Sequence, residues 1–303
     1  MKITILQRDD DITHVALVGR LDTAGAEEIS DEFAEATATR ERPTIVDLSE
    51  IDFMASRGIS LLFASSKRLM KHGHRLVLLS PQELVESGLR TCKADKVMPI
   101  VHDLNEAVQI LHGAAGPSES ARRRLATSDD VTSAERPEPV SAAPVASEGE
   151  LKLAIKNELT ELEGLNTALA QFLDLHGVPH RATYAVNLAI DELVVNVMRY
   201  AYIDDDTHLI DIELAIEGDQ VILQIVDDGR PFDPRSGPSL DLNAEEREVG
   251  ELGLLLVLDM VDVLKYQRID EKNWVEVRVH LFAEDENRDL SETRHESSDV
   301  NED

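Results

Sequence analysis

Basic residues are scarce beside acidic ones. Across 303 residues, 30 Lys+Arg face 60 Asp+Glu, a formal net charge of −30. A nucleic-acid clamp needs a cationic face, and an anionic membrane surface repels such a chain. Neither direct nucleic-acid binding nor membrane association is therefore expected. Cysteine is nearly missing: the lone Cys92 excludes an intramolecular disulfide and any multi-cysteine metal site. Long hydrophobic runs are missing too. The longest, Leu252 to Leu258, falls far short of the ~18 residues of a membrane span. Met1 to Asp10 turns acidic at once, unlike a signal peptide. A soluble, cytoplasmic protein is the expectation. What is present is a hydrophobic fraction of 42%, ample for a packed core, in a chain long enough for two domains.

The charge is unevenly placed. Residues 1–112 hold 13 basic and 18 acidic residues, whereas residues 150–282 hold 11 and 27. Between them, residues 113–149 read as a flexible linker: Ala, Ser, Pro and Gly make up 21 of its 37 residues and apolar periodicity is missing. Its Arg122-Arg123-Arg124 run before Ser128 reads either as a solvated linker or as a docking segment. Residues 283–303, with 2 basic and 9 acidic residues, read as an acidic disordered tail.

Residues 1–112 alternate strand and helix signals, the pattern of an α/β domain. Strands are expected over Ile3–Gln7, Val15–Val18, Pro43–Leu48 and Arg75–Leu79. Helices are expected over Ala24–Thr37, over Arg57–Lys71 with Gly73 as its C-cap, and from Pro81. Residues 150–282 open with a strand (Leu151–Ile155) and two helices (Glu158 to about His176, Val178–Tyr202). Strands Leu209–Ile216 and Val221–Val226, a Gly/Pro-rich polar stretch, a helix (Leu252–Val263) and two last strands follow. That order gives an α+β layer fold.

Three short motifs in this half can carry chemistry. Glu192 and Asn196 are spaced i, i+4 on one helix face. A carboxylate beside an amide oxygen suits orienting a nucleophile and holding Mg²⁺, which prefers oxygen ligands. The same spacing also describes an ordinary solvated face. Asp227-Asp228-Gly229 follows a strand directly. The acid can accept from an exocyclic amine and the glycine lets a ligand approach, although a strand-ending turn has the same look. Gly250-Glu251-Leu252-Gly253 opens an apolar helix, where exposed N–H groups suit phosphate.

In this order, ELVVNVMRYAY (192–202), VDDGRPFDP (226–234), VGELGLLLV (249–257) and YQRIDEKNWVEVRV (266–279) resemble the GHKL (Bergerat-fold) ATPases, above all the anti-sigma factor serine kinases of bacterial partner switching. The resemblance implies an α/β sandwich that binds ATP with Mg²⁺. It implies Glu192 as the residue activating the attacking hydroxyl and Asn196 as the Mg²⁺ ligand. It further implies Asp227 and Gly229 at the adenine, residues 230–249 as a lid, and Gly250 and Gly253 at the phosphates. Glu251 departs from the glycine common at that position. A histidine-kinase reading would need an acceptor histidine on a dimerising helix pair, and His176 and His180 flank a Gly-Val-Pro break instead.

In the first half, Ser56 stands where a strand and loop lead into a helix. Its hydroxyl can cap that helix, and a phosphate there would meet free N–H groups and the positive dipole end. VGRLD (18–22), IVDLSEIDFMASRGISLL (45–62) and HGHRLVLLS (72–80) resemble the STAS domain of anti-sigma factor antagonists, a mixed sheet with helices. The resemblance implies Ser56 as phosphoacceptor. Ala55 and Arg57 depart from the acid and the small hydroxyl residue that are common there.

A kinase-like domain and its usual type of substrate thus share one chain. A 37-residue flexible linker spans roughly 30–35 Å r.m.s., giving an effective concentration on the order of mM. The domains are expected to engage in cis or across a homodimer, with a sigma factor or STAS protein and a phosphatase as further partners. The alternative is a non-catalytic nucleotide-binding switch that sequesters a partner.

Overall fold

A computed structural model of the chain describes residues 1–8, 11–112, 145–147, 149–204, 206–236 and 249–282. The Arg122–Ser128 segment, most of the linker and lid, and the acidic tail lie outside the described residues. The chain divides into two compact units. One comprises residues 1–21, 25–52 and 59–143. The other comprises residues 22–24, 53–58 and 144–303.

The first unit is built on a five-stranded mixed sheet in sequential order: β1 (Lys2–Arg8), β2 (Thr13–Leu21), β3 (Thr44–Met54), β4 (Leu76–Leu79) and β5 (Ile100–Val101). The β1–β2 pair is antiparallel, while β3, β4 and β5 run parallel. Parallel neighbours need crossovers. These are supplied by α2 (Ser56–Lys71) between β3 and β4, and by α3 (Glu83–Thr91) between β4 and β5. The helices α1 (Thr23–Ala36) and α4 (Leu104–His112) complete the set. Leu17, Phe33, Ile45, Leu48, Leu62, Leu76 and Leu78 are all buried.

The sequence-based expectations include neither β5 nor α4, and they differ from the structure around Ser56 and at α3. The strand expected to stop at Leu48 runs on to Met54, because Ile51 and Phe53 are buried while Glu50 and Asp52 are exposed, the two-residue alternation of a sheet with one wet face. The serine follows after one residue, so Ser56 opens α2 without an intervening loop. The helix expected from Pro81 starts at Glu83, with Gln82 extended before it. Gly73 does end α2: at φ +77° it lets its own N–H reach Met70 and that of His74 reach Leu69.

In the second unit, six antiparallel strands lie in the order β10-β11-β9-β8-β7-β6. They are β6 (Val145–Ser147), β7 (Glu150–Lys156), β8 (Leu209–Glu217), β9 (Gln220–Asp227), β10 (Val263–Ile269) and β11 (Lys272–His280). β6 falls inside the stretch read as linker and pairs with β7. Among the described residues, α5 (Glu161–Leu175), α6 (His180–Tyr200) and α7 (Val249–Met260) accompany the sheet. α6 packs on β9 and β11 and against α5 and α7. Every residue of it from Tyr184 to Val195 is buried, so the polar side chains among them, Asn187, Asp191 and Glu192, need partners. Among the described residues no helix is long and apolar enough to cross a membrane.

Candidate active site

Two clusters in the second unit contain the residues singled out from the sequence, and α6 joins them. The first centres on Glu192, which is only 5% exposed. Its Oε1 accepts the Ser56 backbone N–H at 2.7 Å, and its Oε2 accepts the Ser56 hydroxyl at 2.7 Å. Ser56 is thus the first residue of α2 rather than the one before it, and its hydroxyl donates to a carboxylate 136 residues away. Ser56 is itself 1% exposed, and a buried carboxylate takes the strongest donors it can reach. Burial, and then the neighbouring charge of Asp191, push the Glu192 carboxyl up to about 7, while the two Ser56 bonds and Arg57 favour its ionised form.

Gly253, on α7, lies against the same carboxylate. A Cβ there would run into Oε2 and Cδ of Glu192, so any side chain at 253 would displace the carboxylate that Ser56 contacts. Gly250 stands in the first turn of α7, while the side chain of Glu251 lies outside the described residues. Glu192, Ser56 and Gly253 thus meet at one point, a base-capable carboxylate between a hydroxyl and a glycine near the start of a helix.

The segment carrying Ser56 is held along its length. The Tyr184 ring packs on Phe53 with centroids 4.9 Å apart. Its hydroxyl donates to the Met54 carbonyl at 3.1 Å and accepts the Met54 N–H at 3.4 Å. Tyr184 precedes Glu192 by eight residues, hence on the same helix face. Asp191, next to Glu192, accepts the Thr23 hydroxyl at 2.9 Å and the Thr23 N–H at 3.2 Å on Oδ2. Neither Tyr184 nor Asp191 nor Thr23 carried a signal in a motif. The eight-residue spacing from Glu192 was the one clue to Tyr184.

The second cluster centres on Asp227 at the end of β9, 3% exposed. Its Oδ1 accepts the Gly229 N–H at 2.9 Å and the Asn273 amide at 2.8 Å. Burial raises its carboxyl, opposed by these two bonds. Asn273 faces Asp227 directly across the β9–β11 register. Its Oδ1 accepts from the Tyr266 hydroxyl at 2.9 Å and from Arg268 at 2.8 Å, and Arg268 also donates to the Gly229 carbonyl at 2.9 Å. Gly229 sits against the end of α6, where a Cβ would strike Ala201. The Arg230 N–H bonds the Ala201 carbonyl at 2.9 Å and its Nε the Tyr200 carbonyl at 2.6 Å. Asn273 and Arg268 fall inside the 266–279 stretch, yet their link to Asp227 depends on strand register.

Between the clusters lies Asn196, one turn after Glu192. Its amide nitrogen is buried and has no hydrogen-bond partner among the described residues. Turned by 180°, the amide would offer oxygen at that point, the donor a hard cation requires. From Glu192 to Ala201 the helix rises about 13 Å, so α6 separates the two clusters by a distance on the scale of a nucleoside triphosphate.

The STAS domain family matches residues 4–107 and the histidine kinase-like ATPase domain family matches residues 155–279. Segments 22–24 and 53–58 lie within the first match and pack in the second unit. Solved structures similar to parts of the chain include an anti-sigma factor antagonist from Mycobacterium paratuberculosis (21% identity, TM-score 0.33, 37% of this chain and 95% of that one). A STAS-domain anti-sigma factor antagonist from Planctomyces limnophilus is similar too (20%, 0.32, 36% and 97%). So are the RsbU and RsbW domains of a Mycobacterium tuberculosis protein (16%, 0.33, 43% and 31%).

Proposed function

We propose that this chain, which joins a STAS domain to a histidine kinase-like ATPase domain, is a partner-switching regulator whose ATPase domain phosphorylates Ser56. The observation that carries the reading is the 2.7 Å hydrogen bond from the Ser56 hydroxyl to Glu192, within the reach required of a general base and its proton.

The histidine kinase-like ATPase domain implies ATP binding, usually with Mg²⁺. Asp227, held rigid through Oδ1, reads the adenine amine with its other oxygen, and Gly229 leaves room for the ring. Gly250 and Gly253 present the start of α7 to the phosphates. Asn196 would hold Mg²⁺, which would supply positive charge to compensate that of the phosphates. Glu192 takes the Ser56 proton as Oγ bonds to the γ-phosphorus, the bond from that phosphorus to the β–γ bridging oxygen breaks, and ADP leaves. The phosphate then carries nearly two negative charges at a buried site beside Asp191 and Glu192. Like-charge repulsion in a dry site expels the segment around Ser56. The freed surfaces are then available to a sigma factor, another STAS protein or a resetting phosphatase, and the second unit's acidity fits a basic partner.

Incubation of the full chain with Mg-ATP, followed by phosphosite mapping, tests this. Phosphate is expected on Ser56, at a rate independent of protein concentration if transfer is in cis. Nucleotide binding with no phosphate on Ser56 would instead assign the chain to a second reading. In that reading the Ser56–Glu192 contact is a lock that sequesters a partner without chemistry, as favoured by Glu251 in place of a glycine.

A further inference from the structure

Asp191 and Glu192 are consecutive, and each receives the start of a different helix. Glu192 takes the N–H and hydroxyl of Ser56, first residue of α2. Asp191 takes the N–H and hydroxyl of Thr23, first residue of α1. The two helix starts lie 33 residues apart in sequence. Both donate the same pair of groups, a backbone N–H that a helix leaves unpaired and a β-hydroxyl, to neighbouring carboxylates at the positive ends of two helix dipoles.

We infer that Asp191 is a positioning residue that selects the substrate by holding Thr23, the start of a second helix beside Ser56. This rests on the proposed phosphorylation of Ser56. Glu192 and Tyr184 both grip residues 53–56, one short segment, which leaves the substrate free to rock about that line. The second anchor at Thr23 removes that freedom, fixing the direction of the Ser56 hydroxyl before any nucleotide arrives. Asp191 is 2% exposed and Thr23 equally so, so the pair is made away from water, where a charge-assisted hydrogen bond is strong and its loss costly. Burying a carboxylate next to a second one is electrostatically adverse, and indeed Asp191 raises Glu192. Holding Thr23 gives that placement a function. A STAS partner with an apolar residue in place of Thr23 would fit Glu192 equally well and yet be rejected, because Asp191 would lose its hydroxyl donor.

The test uses the full-length chain and two readouts. Amide hydrogen exchange at Thr23, without nucleotide, reports the contact independently of catalysis. The initial rate of Ser56 phosphorylation, taken at a pH well above the Glu192 midpoint, reports its consequence. Asp191→Asn is expected to speed Thr23 exchange and slow Ser56 phosphorylation, each by about tenfold or more, with nucleotide affinity unchanged. Thr23→Val, which removes only the hydroxyl, should give a smaller loss. The double variant should be no slower than Asp191→Asn alone, the non-additivity of two residues in one interaction. Unchanged Thr23 exchange in Asp191→Asn would overturn the inference. So would faster exchange with a wild-type phosphorylation rate. Wild-type protein that gains no phosphate on Ser56 overturns the phosphotransfer reading instead. In that case the exchange data decide the remaining claim, that Asp191 holds Thr23, with unchanged exchange refuting it.

Discussion

Glu192 and Asp227 are both carboxylates buried in the second unit, and both are pushed upward by burial. Their partners differ in kind. Asp227 is bound by the Asn273 amide and the Gly229 N–H, groups belonging to the same sheet and turn, and Asn273 is in turn fixed by Tyr266 and Arg268. Glu192 is bound by a hydroxyl and the first N–H of a helix that begins in a distant part of the chain. A group that reads a ligand should not move, whereas a group that takes a proton needs a partner that can be chemically changed and then leave. The lesson lies in the partners: under the proposed function, equal burial would serve recognition in one place and turnover in the other.

The strongest way to break this contrast is Glu192→Gln. The amide keeps the shape but loses the base. Ser56 phosphorylation should fall by about 10²–10⁴-fold, while nucleotide binding, measured by calorimetry, stays intact. Loss of nucleotide binding with it would merge the two clusters into one. Next comes Asp227→Asn, which places an amide nitrogen opposite the adenine amine. ATP affinity should drop about tenfold to a hundredfold, and saturating ATP should restore Ser56 phosphorylation. Asn273→Ala should act in the same direction. It leaves the Asp227 carboxylate and the Gly229 carbonyl short of a donor, costing about 1–3 kcal/mol of stability in denaturant titrations, with weaker ATP binding.

The smallest effect sharpens the comparison through pH. The Glu192 carboxyl is pushed up to about 7, so the phosphorylation rate should rise with pH through about 7 and level off above it. Stability should move the other way. The folded protein holds the Glu192 proton up to about 7, whereas the unfolded chain releases it near 4.5. The native state therefore binds more protons between those values, and stability falls as pH rises across that window, by about 3 kcal/mol in all. Thermal unfolding from pH 4.5 to 8 checks the sign. A flat profile in Glu192→Gln would assign the trend to this carboxyl.

Much of the site was legible from spacing. Glu192 and Asn196 one turn apart, Asp227 and Gly229 at a strand end, and Gly253 at a helix start each express a rule within a few residues. So do most element positions, because alternation and helical periodicity are local. Ser56 was legible as a hydroxyl at a helix start, but the partner of that hydroxyl was not: local capping and a remote carboxylate are equally compatible with the sequence around it. Asn273 was hidden for a similar reason, since its link to Asp227 follows from a strand register 46 residues apart. The extension of β3 to Met54 was visible in the alternation of Ile51 and Phe53, but was masked by the polar Ser49 and Glu50.

By itself the sequence determined two domains, the acidic bias of the second half, and the local motifs that nominate Glu192, Asn196, Asp227, Gly253 and Ser56. Those properties depend on composition and on neighbours within one or two turns. Only the tertiary structure decided that consecutive acids on α6 hold the starts of two separate helices, and that one of those starts is Ser56. Hydrogen bonds across more than a hundred residues leave no periodic trace. They exist because a buried carboxylate must find donors, and the fold alone determines which donors are within reach.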